Sequence, residues 1–113
     1  MDGKFLGKIV SAEFGIGGYN DGEIGLHLTF SYGESYGSST SDSIWDWNRV
    51  KWSEYCKWSD EYRLQRYSEI VVNLSDVLND AKCKLVSELK NKPIEVEIEG
   101  NLLKSWRILK EVL

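Results

Sequence analysis

Apolar and polar residues alternate most strictly between Glu23 and Tyr32. Ile24, Leu26, Leu28 and Phe30 fall on one face, and Gly25, His27, Thr29 and Ser31 on the other. This period of two predicts a strand with one side against a core. Ile94, Val96 and Ile98 alternate with Glu95, Glu97 and Glu99 in the same way. Gly100-Asn101 supplies a turn, and Leu102 to Leu113 is expected to be the returning strand. Phe5 to Phe14 reads as a first strand centred on Ile9 and Val10. It is joined to Glu23–Tyr32 by the turn-rich Gly15–Gly22, whose four glycines and Asn-Asp-Gly tolerate positive φ.

The period changes after Ser59. Tyr67, Ile70, Val71, Leu74, Val77, Leu78 and Ala81 recur at steps of three and four. That spacing predicts a long helix with one apolar stripe. Ser59 is placed as its N-cap, and Asp60 and Glu61 in the first turn favour the helix dipole. A shorter helix carrying Val86 and Leu89 is expected to stop before Pro93, because the residue before proline avoids the helical region. Gly33 to Ser43, rich in Ser, Gly and Thr, fits either a mobile loop or a short edge strand around Tyr36–Ser41. Ile44 to Trp58 has no regular period. The expected fold is therefore α+β, an antiparallel sheet in the order β-β-(β)-α-α-β-β. One long amphipathic helix and a shorter one cover one side of it.

Composition bounds this picture. A chain of 113 residues, 42% hydrophobic and 28% charged, supports a single globular domain, here 1–113. Its net charge of −4 argues against tight binding to long nucleic acid, which needs a basic footprint. No apolar stretch reads as a signal peptide or a membrane span, so a cytoplasmic protein with no membrane partner is expected. Cys56 and Cys83 lack metal or redox spacing and are expected to be reduced thiols. Asn73-Leu74-Ser75 matches a glycosylation sequon but falls inside the expected helix, where it is discarded.

Catalytic chemistry finds little support. His27 is the only histidine and sits on the polar side of its strand, so no histidine-based metal cluster can form within one chain. Glu95, Glu97 and Glu99 read as a solvated strand face. No phosphate-binding loop, nucleophile elbow or zinc spacing occurs. The expectation is a binding protein without metal or cofactor, and not an enzyme. Two features point to a ligand. Backbone N–H groups of the Gly15–Gly22 turn can form an anion-binding nest, although a plain glycine-rich hairpin explains the same residues. Trp45, Trp47, Trp52, Tyr55 and Trp58, interleaved with Arg49, Lys51 and Lys57, together with Arg107 beside Trp106, offer rings and cations for bases and phosphates. The same tryptophans serve equally as core or interface anchors.

Several segments carry a resemblance. They are Phe14-Gly15-Ile16-Gly17-Gly18-Tyr19-Asn20-Asp21, Ile24-Gly25-Leu26, Lys57-Trp58-Ser59-Asp60-Glu61-Tyr62-Arg63, Pro93 to Asn101, and Ser105-Trp106-Arg107-Ile108-Leu109-Lys110-Glu111-Val112-Leu113. Together they resemble a family of small phage and prophage proteins, the first described class of anti-Thoeris sponges. Most of the chain is covered, with Gly33–Val50 departing from the pattern. The resemblance implies a protein that sequesters glycocyclic ADP-ribose, the cyclic ADP-ribose-type signal of a bacterial TIR-domain defence system, without cleaving it. It implies action in the host bacterial cytoplasm and a homodimer whose ligand sites lie where two chains meet. Some members also form higher homo-oligomers and bind cyclic oligonucleotides at a second site. The motif residues carried over are Gly17, Gly18, Tyr19, Asn101, Trp106 and Arg107. Gly17 and Gly18 would bring backbone to the phosphates. Arg107 would hold the pyrophosphate or stack on adenine, and Tyr19 or Trp106 would offer a ring. The competing expectations are a protein-binding inhibitor of a host defence enzyme and, less supported by the residues, a nucleotide-cleaving enzyme.

Overall fold

The computed structural model describes residues 2–49 and 59–113. The fold is α+β, with a five-stranded antiparallel sheet and one α-helix. The strands are β1 (Gly3–Gly17), β2 (Glu23–Tyr32), β3 (Tyr36–Trp45), β4 (Pro93–Glu99) and β5 (Leu102–Ile108), and the helix is α1 (Asp60–Asp80). The strand order is β3-β2-β1-β4-β5.

β1 is the spine. Its first half, Gly3 to Lys8, pairs with β4 from Ile98 to Pro93, and its second half, Gly7 to Gly17, pairs with β2. Val10 is the extra residue at a register shift between Ile9 and Ser11. Such a bulge bends and twists a strand. It also resets the alternation, so that Ile9, Ala12, Phe14 and Ile16 share one face, with Ile9 in the core and Phe14 and Ile16 exposed beyond it. β2 and β5 are three strand spacings apart, about 14 Å in a flat sheet. Yet the rings of Phe30 on β2 and Trp106 on β5 lie 5.0 Å apart. The sheet therefore curls, and its concave side holds the core: Ile9, Leu28, Phe30, Ile94, Val96 and Leu89 are all buried.

The strand Glu23–Tyr32 and its inward face fall where the alternation places them. The strand around Ile94–Glu99, its Gly100-Asn101 turn and the Ser59 cap also fall as expected, and the remaining elements need correction. The strand expected at Phe5–Phe14 extends at both ends, to Gly3 and to Gly17, because the paired part of the hairpin takes in Gly15 and Gly17. β3 is a full ten-residue strand pairing with β2 from Tyr32↔Tyr36 to Glu23↔Trp45, and it includes Ile44 and Trp45. The expected second helix is only a single 3-10 turn, Val86–Leu89. Lys82 adopts φ 54, which ends α1, and Leu85 is extended, so too few residues remain before Pro93 for an α-helix. The last strand stops at Ile108, and Lys110–Val112 forms another 3-10 turn.

α1 begins at Ser59, whose Oγ accepts a hydrogen bond from the Tyr62 N–H at 3.1 Å. Ile70 and Ala81 are buried, with Leu74, Val77 and Leu78 packed partly against the core. Val71, placed on the apolar stripe by its spacing, is 59% exposed, and Leu64 and Val72 are also exposed. The stripe is narrower than expected because the helix is fixed to β3 by polar groups. Arg66 Nη2 donates to Asp42 Oδ1 (3.1 Å) and to the Ser43 carbonyl (3.2 Å), while Asn73 Nδ2 donates to Asp42 Oδ2 (3.0 Å). The sequon asparagine thus has a structural partner. No helix is long and apolar enough to cross a membrane among the described residues.

Candidate functional site

The motif residues occupy three places. Gly17 is the last paired residue of β1, opposite Glu23, and a Cβ there would meet the His27 ring at 3.0 Å. His27 itself is held on the outer face, with Nδ1 2.7 Å from Ser41 Oγ and Nε2 3.2 Å from the Gly15 carbonyl. Gly18 follows at φ 69, where a side chain would be strained and would also collide with Glu23. The turn Tyr19–Asp21 closes through Asp21 N–H to the Gly18 carbonyl and Gly22 N–H to the Tyr19 carbonyl.

The anion at this turn is supplied by the chain. Tyr19 N–H donates to Glu23 Oε2 at 3.1 Å, and Glu23 Oε1 accepts from Ser43 Oγ at 2.8 Å. A phosphate binding to that N–H has to displace Glu23. The Tyr19 ring, by contrast, is 70% exposed and stands edge-on to Trp45, with centroids 6.1 Å apart. Beside this pair lies a cavity of about 200 Å³ lined by Trp45, Tyr62, Arg66, Glu23, Ser43 and Ile44. Tyr62 and Arg66 were not singled out from the sequence as site residues. Only the fold brings α1 against the end of β3, and no spacing in the chain signals it. Arg66 is committed to Asp42, Ser43 and Glu69, and hydrogen bonding to Glu69 raises its pKa.

Asn101 lies at the other end of the molecule. Gly100 (φ 59) and Asn101 (φ 65) form the two-residue β4–β5 turn, a conformation that itself favours Gly and Asn. Gly3 of β1 pairs with Ile98 next to this turn, whereas Gly17 ends β1 at the hairpin. Fourteen residue steps separate the two ends, about 46 Å along the strand.

Trp106 and Arg107 are adjacent on β5 and so point to opposite faces. Trp106 turns inward onto Phe30. Arg107 turns outward, where Nε donates to Glu95 Oε1 at 3.2 Å and Nη1 to Glu111 Oε1 at 2.9 Å. These carboxylates raise its pKa, and Arg107 in return lowers that of Glu111. The strand glutamates Glu97 and Glu99 pair with Lys104. A shallow cavity of about 150 Å³ on this outer face is lined by Arg107, Lys4, Ser105 and Glu97 among others.

The aromatic segment is only partly described. Trp47 lies under the guanidinium of the buried Arg63, 4.9 Å from Cζ to ring centre, and its backbone N–H donates to the Tyr67 hydroxyl at 3.2 Å. It therefore packs the start of α1. Lys51, Trp52, Tyr55, Cys56, Lys57 and Trp58 lie outside the described residues. A larger cleft of about 350 Å³ opens between α1, β2, β3 and β5, with Leu26 and Leu28 as its floor and Trp106 as one wall. Among the described residues no group of His, Cys, Asp and Glu converges as a metal site. Family models, curated proteins and solved structures show no match to this chain.

Proposed function

We propose that the protein is a sponge that binds a cyclic ADP-ribose-type signal, glycocyclic ADP-ribose, and holds it unchanged at a site shared by two copies of the chain. It acts without cofactor or metal in the host bacterial cytoplasm. The observation that carries this reading is the distribution of the six motif residues. Gly17, Gly18 and Tyr19 are at the hairpin tip, Asn101 is at the opposite end of β1, and on β5 Trp106 faces inward and Arg107 outward. One dinucleotide does not span this arrangement within one chain, whereas a site at an interface joins the hairpin of one copy to β5 of another.

The chemistry of the two halves is complementary. The exposed Tyr19 ring beside Trp45 offers a stacking surface for adenine, worth about 1–3 kcal/mol. Arg107 offers a guanidinium that is half exposed and still reachable by a pyrophosphate despite Glu95 and Glu111. A second copy also has somewhere to dock. Beyond Ile9 no strand pairs with the outer edge of β1 among the described residues, and Val10, Phe14 and Ile16 there are exposed. An unpaired strand edge is a ready template for another chain.

Mixed dimers test the shared site. Tyr19→Ala and Arg107→Ala each lower the affinity for glycocyclic ADP-ribose at least roughly tenfold, as expected for loss of a stacking or bidentate contact. Co-refolding the two variants regenerates one intact site per mixed dimer, and calorimetry should recover tight binding at reduced stoichiometry. Absence of recovery would sink the two-chain arrangement.

A second reading, docking on a host defence enzyme, is favoured by the exposed Leu64, Val71 and Val72 of α1. A stoichiometric partner in a host-lysate pull-down that is lost in Val71→Asp, with no nucleotide retained, would favour it over the sponge.

A further inference from the structure

The cleft between α1 and the curled sheet has a chemistry that the proposed signal does not match. Its floor is apolar, made by the buried Leu26 and Leu28, and the indole of Trp106 forms a wall. Its ionisable lining groups are both carboxylates, Asp42 from β3 and Asp76 from α1, and no Lys or Arg lines it among the described residues. Asp42 is already bound by Arg66 and Asn73. Asp76 makes no hydrogen bond or ion pair among the described residues. A phosphorylated ligand entering here would face Asp76 with no cation lining the cleft to offset it, since Arg66 is already engaged by Asp42, and that is unfavourable at short range. A ligand with an ammonium group and a flat or alkyl body meets a carboxylate, a ring face and an apolar floor together. A volume of about 350 Å³ is sufficient for a small molecule of this kind.

We propose that this cleft is a second binding site, selective for a small organic ammonium ion. The ammonium group sits between Asp76 and the face of Trp106, and the apolar body lies on Leu26 and Leu28. The site shares Trp106 with the motif set, uses its inward side, and involves neither Tyr19 nor Arg107 of the proposed nucleotide site.

Tyramine serves as the probe, with 4-ethylphenol as its neutral counterpart and 4-hydroxyphenylacetate as its anionic one, titrated by calorimetry into the intact protein. Tyramine should bind saturably at submillimolar to millimolar concentration and roughly tenfold or more tighter than 4-ethylphenol, as a charge-assisted contact implies. The anion should not bind. Asp76→Asn, at an exposed helix position, should fold normally and bring tyramine down to the level of 4-ethylphenol. Glu61→Gln, elsewhere on the same helix, should leave the tyramine affinity unchanged. Equal affinity for tyramine and 4-ethylphenol, an unchanged affinity in Asp76→Asn, or no saturation with millimolar tyramine would each overturn the proposal.

Discussion

Gly25 shows how a single residue can be fixed by its neighbour strand. It has φ 156, and a Cβ there would lie 2.2 Å from the Asp42 carbonyl oxygen and 2.6 Å from Ser43 Cα, both backbone atoms of β3. Gly25→Ala should therefore destabilise the fold by about 2 kcal/mol or more in denaturant unfolding. A change within a few tenths would mean that β3 yields. Glu111 gives a pH dependence. Arg107 holds its carboxyl below the usual range, so the pair contributes stability that is fully present above that range and is lost as pH falls through the lowered value. Melting temperature should fall less steeply on acidification in Glu111→Gln than in the parent. Identical slopes would show that the pair does not persist in solution. Burial, with Glu88 nearby, raises the Cys83 thiol. In a Cys56→Ser background its alkylation near pH 8 should thus be slower than that of an unstructured thiol, and an equal rate would contradict the packing. The sequence showed that Gly25 and Cys83 exist. It could not show that Asp42 would press on one or that packing would desolvate the other, because both neighbours come from distant parts of the chain.

At the level of elements, legibility followed how strongly each pattern is enforced. β2 and β4 alternate cleanly because each has one face on the core and lies inside the sheet. β3 was obscured because it is an edge strand of Ser, Thr and Gly whose only sheet partner among the described residues is β2. Its backbone pairing, rather than any apolar alternation, makes it a strand. The start of α1 was readable from Ser59, whose cap is local. Ser59→Ala should cost about 1 kcal/mol and increase amide exchange in the first turn; unchanged exchange would mean that Arg63 and Trp47 alone hold that end. The helix's exposed Val71 misled because spacing reports a face of the helix without saying how wide a strip the sheet covers. Arg66 and Asn73 fix that orientation, and their partner Asp42 lies in the segment where the sequence pattern was weakest.

The whole molecule is a curled sheet that separates its candidate residues instead of gathering them. The sequence made Gly17, Gly18, Tyr19, Asn101, Trp106 and Arg107 visible as a set but contained no signal of their separation, which follows from the length of β1 and the placing of β4 at its far end. The same topology leaves the edge of β1 beyond Ile9 open. A dimer by light scattering at micromolar concentration is expected, shifted toward monomer by Phe14→Lys; a clean monomer in the parent would remove the shared site. The central claim, capture without conversion, is tested most directly by mixing the protein with glycocyclic ADP-ribose, removing free ligand, denaturing the protein and separating what is released by chromatography. Intact glycocyclic ADP-ribose in stoichiometric amount is the predicted result. Release of a cleaved product, or of no nucleotide at all, would contradict it.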